Sequence, residues 1–265
     1  MTKAYYILFF HVLGLYVLTS VMYWQLFFKE ETRLIVKSRI LLYSSVASHT
    51  LLLLLIALTN HRCPVATPGE GLLFCAWMVA LGHLTSEFYA KSKPWGIFTL
   101  LPITLAVLLS LFLSDPHSPS PEQYRGAYFS FHIVSSLAAF ACFTISAVLA
   151  TMYITLFKRL KSKRFDVVFR TLPPLENIEV LETIWVYFGI LFMIIAPVIG
   201  WIWVRDHGGE GMSPKEFGIF TALFLFLGTA IARAFFRFKG IRFAVSIIVG
   251  FGLLLMTLAL NVHGF

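Results

Sequence analysis

Apolar residues fall into eight long runs, near 5–28, 40–59, 71–90, 96–114, 127–157, 180–204, 216–235 and 242–262. Short stretches rich in Pro, Gly, Ser and charge part them, as in 60–70 (NHRCPVATPGE) and 115–126 (DPHSPSPEQYRG), where the chain is expected to turn. A helix needs about 20 apolar residues to cross the hydrocarbon core of a bilayer, so each run predicts a membrane-spanning helix. The fifth is long enough to tilt or to project beyond the bilayer. No connection is long enough for a separate soluble domain, and no internal repeat is evident. The expectation is an all-α polytopic membrane protein of about eight transmembrane helices, one domain over residues 1–265. Met1-Thr2-Lys3 runs straight into the first apolar run without a small-residue cleavage site, which predicts a retained first span.

Composition narrows the class further. Hydrophobic residues make up 58% of the 265 and charged residues 13%, and mean hydropathy is +0.82. Soluble domains carry about 25% charged residues, so this chain has too little polar surface to cover a water-soluble globule. Soluble enzymes, nucleic-acid-binding domains, disordered chains and disulfide-stapled secreted modules are excluded. The net charge of +8 has another use in a membrane protein, because Lys and Arg collect in cytoplasmic loops. The loops and flanks between spans 1–2, 3–4, 5–6 and 7–8 hold 16 of the 21 Lys and Arg. Both termini are therefore expected outside the cytoplasm. The basic run at 158–170 fixes that topology and suits contact with anionic lipid. Cys63, Cys75 and Cys142 form no CxxC pair and no zinc-type spacing, and the absence of CxxCH means that the chain carries no covalent c-type haem.

Topology gives each histidine a depth. His49 lies about nine residues from the inner end of the second apolar run and His83 about seven from that of the third. At about 1.5 Å per residue the two imidazoles come within a few Å of one level, where they could take the two axial faces of a haem. The alternative is that each bonds a backbone carbonyl across a helix contact. His132, near the outer start of the fifth run, and His263, at the outer end of the eighth, form a second pair; an interfacial hydrogen bond and a solvated terminus are the plainer readings. His11 is a spare near the outer face, while His61, His117 and His207 fall in outer loops. Residues 200–216 (GWIWVRDHGGEGMSPKE) set Trp201 and Trp203 beside Arg205, Asp206, Lys215 and Glu216. Indole rings beside cations suit a planar dianionic porphyrin, although Trp is enriched at any membrane interface.

Several segments resemble one family. FCAWMVALGHLTSEFYA (74–90) followed by GIFTLLPITLAVLL, FHIVSSLAAFACFTISAVLATMYI (131–154), LPPLENIEVLETIWVYFGILFMIIAPVIGW (172–201) and the ending LALNVHGF occur in the order and spacing of the cytochrome c assembly proteins of the CcsA/YpjD/HemX type. That resemblance implies a polytopic protein that handles haem b without a covalent bond, one or two haems per chain. His132 and His263 fall at the positions of the family's outer haem ligands, and His49 at that of a membrane histidine of the YpjD/HemX-like branch. Trp201, Trp203, Arg205 and Lys215 would cradle the macrocycle and its propionates. The synthetase branch has a longer WGxxWxWDPKE segment; here it shrinks to WIWVRD, a Gly-rich insertion and SPKE at 213–216.

The resemblance implies a haem-binding role in cytochrome c biogenesis, with a CcsB-like membrane partner and apocytochrome c, in a bacterial cytoplasmic membrane. It leaves open whether the chain is part of a haem-lyase system. Two alternatives remain: a bis-histidine b-type cytochrome subunit passing electrons to other respiratory-complex subunits, and a HemX-like membrane regulator without a redox role. Few carboxylates enter the spans; Glu87 and Glu182 sit near inner ends, where neighbours such as Lys91 could satisfy them.

Overall fold

The computed structural model describes residues 2–29, 32–90, 95–113, 126–206 and 214–262. Among these residues there are nine helices and no strand: α1 (Thr2–Lys29), α2 (Thr32–Asn60), α3 (Pro68–Ala90), α4 (Ile97–Leu113), α5 (Ala127–Lys161), α6 (Val167–Thr171), α7 (Leu175–Asp206), α8 (Pro214–Phe236) and α9 (Ile241–Val262). Eight of them coincide with the eight apolar runs. Six are long and apolar enough to cross a bilayer, and α4 and the stretch Ile241–Thr257 of α9 are shorter apolar helical segments. The large apolar side chains left on the outside, such as Leu58, Phe112 and Phe235, form far more exposed hydrocarbon than water would tolerate, and they mark the lipid-facing surface. The chain is an all-α, multi-pass membrane protein.

Two elements depart from the sequence expectation. Helix α2 begins at Thr32, eight residues before its apolar run, because Leu34, Ile35 and Ser38 turn inward and carry the helix through a charged stretch. The five-residue α6 (VVFRT) is too short to register as an apolar run. It exists because Asp166 caps it, accepting from the Phe169 N–H at 3.2 Å while pairing with Arg159. The Thr171 hydroxyl then ties α6 to the Phe27 carbonyl at the end of α1.

The helices form two groups. In the first, α1 packs on α2 and α4, and α3 on α4; in the second, α5 packs most extensively on α7, and α9 on α5 and α8. Contacts of α3 with α5 and α7 join the groups. Close approach at that seam needs glycine: a Cβ on Gly82 would collide with Ile145 and touch Trp185. Phe143 of α5 stacks on Phe226 of α8 at 3.8 Å, and Gly189 of α7 admits the same ring, since a Cβ there would lie 2.7 Å from it. Outside the spans, loop 61–67 folds around Thr67, which accepts the Glu70 N–H at 3.2 Å and starts α3. The Glu70 carboxylate meets the Arg62 guanidinium on both oxygens and the Ala66 N–H.

Candidate haem-ligand sites

His132 stands in the second turn of α5. Its Nδ1 lies 2.7 Å from the Ala196 carbonyl of α7. A carbonyl can only accept, so Nδ1 carries the proton, and in the neutral ring Nε2 keeps its lone pair. A backbone carbonyl that fixes tautomer and ring orientation in this way is the usual outer support of a metal-ligating imidazole. Gly200 permits the arrangement, because a Cβ there would sit 2.7 Å from Nδ1 and expel the ring. One turn toward the outer end, Phe129 of α5 meets Trp203 of α7 at 5.7 Å between ring centroids. Trp201 projects outward, 69% exposed, and Arg205 is exposed in the last turn of α7. His132, Trp201, Trp203 and Arg205 thus share one end of the α5–α7 pair. Lys215 begins α8, with its side chain outside what is described, and His263 lies outside the described residues.

The other two candidates are fully buried and stand apart from each other. His49 Nδ1 is 3.1 Å from the Tyr16 hydroxyl, and the two rings meet edge to face. Its Nε2 meets no hydrogen-bond partner. His83 faces a different set. Its Nε2 lies 3.3 Å from Glu87 Oε1, its ring meets Trp95 at 4.5 Å and Tyr23 at 6.0 Å, and a Cβ on Gly96 would be 3.0 Å from Nε2. Tyr23 donates to Glu87 at 2.9 Å, and Arg39 reaches the same carboxylate at 3.9 Å.

The contacts on α1 separate the two histidines in depth. Tyr16 meets His49 and Tyr23 meets His83, seven residues apart, or about 10 Å along the helix axis. Helix α3 agrees: Trp77 donates to Thr50, beside His49, six residues or about 9 Å from His83. The shared level expected from the apolar boundaries is not observed. Thr19–Ser45 and Ser20–Thr104 hydroxyl pairs fill the interval. No group of three or more His, Cys, Asp or Glu suited to a metal ion occurs among the described residues. His11 and His61 are exposed.

Sequence reading passed over the residues that hold these imidazoles. Tyr16, Thr19 and Tyr23 lie on one buried face of α1 at spacings of three and four, a pattern visible in the sequence as polar groups in an apolar run. Ala196 and Gly200 give no such signal, since a carbonyl and a missing Cβ have no polar side chain to notice.

A family model described as Cytochrome C assembly protein matches residues 6–263. Protein HemX of Brevibacillus brevis is 23% identical over 151 residues, covering 56% of this chain and 54% of its own. Protein NrfI of Wolinella succinogenes is 25% identical over 261 residues, covering 93% of this chain. The chain spans about half the length of HemX and 27% of that of NrfI.

Proposed function

The chain belongs to the cytochrome C assembly protein family, which supports a role in cytochrome c biogenesis, and on that premise we propose that it receives haem b as cargo at its outer end and passes it on for attachment to apocytochrome c. The single observation that carries this reading is the His132 imidazole, held through Nδ1 by the Ala196 carbonyl so that Nε2 is left as an available donor atom. His132 Nε2 supplies one axial ligand, and His263 is proposed as the second. Exposed Trp201 offers a face to the macrocycle, with Trp203 beneath, and Arg205 and Lys215 meet its propionates.

The buried histidines fit this cargo less well. His49 offers an unpartnered Nε2 in a packed span and suits a holding site at most. Neither ring nitrogen of His83 is hydrogen-bonded, but its Nε2 stands 3.3 Å from Glu87 Oε1, a carboxylate that competes with iron for the imidazole. The chain does no side-chain catalysis in this reading. Its work is to bind, orient and release, with a CcsB-like membrane partner and a separate reductant for haem iron and substrate thiols, in a bacterial cytoplasmic membrane. The test is transfer: detergent-purified protein loaded with haem is mixed with a reduced apocytochrome c and its partner subunit. The expected result is loss of haem from this chain and gain of thioether-bound haem in the acceptor. Stoichiometric haem that never leaves would instead support an electron carrier.

A further inference from the structure

We propose that Glu182 of α7 is a proton-exchange site, with the Arg233 guanidinium of α8 as the cation that takes over when the proton leaves. Glu182 is fully buried, and neither carboxyl oxygen meets a hydrogen-bond partner. The cation whose charge acts on it is already committed: Arg233 donates to Glu179 at 2.9 Å and lies over the Phe243 ring at 4.3 Å. Glu179 also accepts the Gly240 N–H at 3.4 Å. A bare carboxylate without a donor is strongly unfavourable away from water. In this arrangement the group therefore carries its proton.

The geometry also supplies the exchange. Glu179 and Glu182 are three residues apart on one face of α7, and the Arg233 charge acts on both. Arg233 and Glu179 are 12% and 19% exposed, so their pair reaches the molecular surface at the end of α8 that turns into α9 while Glu182 does not. When the O–H bond of Glu182 breaks, the electron pair stays on the carboxylate and the proton passes to water at that end. Arg233 then turns from Glu179 to Glu182, and half-buried Glu179 is solvated. The charged and titratable groups acting on this spot are Arg233 of α8, Glu179 and Glu176 of α7, and the Tyr153 hydroxyl of α5. Phe243 and Gly240, on the α9 side, bring a ring face and one N–H. Glu182 lies fourteen residues, about 21 Å, along α7 from Ala196, so this inference stands apart from the haem reading.

The test is an infrared titration of the full-length detergent-purified protein from acid to alkaline pH, in water and in heavy water. The expected result is a protonated-carboxyl C=O band at neutral pH that disappears on alkalinisation. It is absent in Glu182→Gln and present in Glu176→Gln. In Arg233→Gln, which leaves both carboxyls without their cation, the band persists to higher pH. If Glu182→Gln does not fold, Glu182→Asp must shift the band's frequency. A neutral-pH spectrum without a band that responds to Glu182 substitution overturns the proposal, as does one whose band vanishes only in Glu87→Gln. Unchanged titration in Arg233→Gln overturns the role of the arginine.

Discussion

The outer ends of the two helix groups are built in opposite ways. In the first group the 61–67 loop is closed by Arg62 and Glu70, both about 95% buried and paired on two oxygens, with the Ala66 N–H filling the remaining acceptor. Arg62 and Glu70 find their partners in this loop and in the first turn of α3. In the second group the α5–α7 end holds an imidazole with one nitrogen committed and one available, and an indole that is 69% exposed. A closed set of partners stabilises; an open one recognises. The contrast is why the proposed binding surface is sought at the α5–α7 end, while the Arg62–Glu70 pair closes the α2–α3 loop.

Predictions follow from trying to erase that contrast. The largest stability effect is expected from Arg62→Ala, which strands a buried carboxylate and should cost about 3 kcal/mol in a thermal or denaturant melt. Its haem content per folded molecule should stay unchanged, because Arg62 bonds only Cys63 and Glu70, within the loop and the first turn of α3. Gly200→Leu should cost less, about 2 kcal/mol from overpacking, yet remove most bound haem by displacing the His132 ring. Circular dichroism and a haemochrome assay on one sample separate the two losses. Tyr16→Phe removes one buried hydrogen bond and should cost about 1 kcal/mol, leaving outer-site haem intact; lost outer-site haem would tie His49 to that site. The mildest effect concerns Cys63. Burial, with the Glu70 charge second and the Arg62 charge opposing, pushes this thiol above its ordinary range. A raised value means less thiolate at any given pH, so alkylation of Cys63 in folded protein should lag behind that of a free thiol. Equal rates would mean that the loop is more open than described.

Much of this architecture was legible because lipid enforces it. A span must hide its backbone polar groups in a helix, so runs of apolar residues translate directly into α1–α5 and α7–α9. Helix ends were harder: Thr32–Arg39 is polar enough to read as loop, yet it continues α2. That extension shows why apolar boundaries are poor rulers of depth, and why His49 and His83 stand about two turns apart on the scale of α1. Facing is also invisible to a residue count, because Tyr16 and Tyr23 each claim one histidine. Glu87 finds its partners in Tyr23 of α1, Arg39 of α2 and His83 one turn back on its own helix; Lys91 lies outside the described residues. His132 was recognisable by type and place, while the carbonyl and the glycine that orient it depend on how α5 meets α7.

The most direct test is the reduced-minus-oxidised absorption spectrum, with haem stoichiometry, of detergent-purified wild type beside His132→Ala and His83→Ala. The account predicts a b-type spectrum in the wild type, near-complete loss in His132→Ala, and little change in His83→Ala. Haem retained in His132→Ala but lost in His83→Ala would contradict it, moving the site from the outer end into the first helix group.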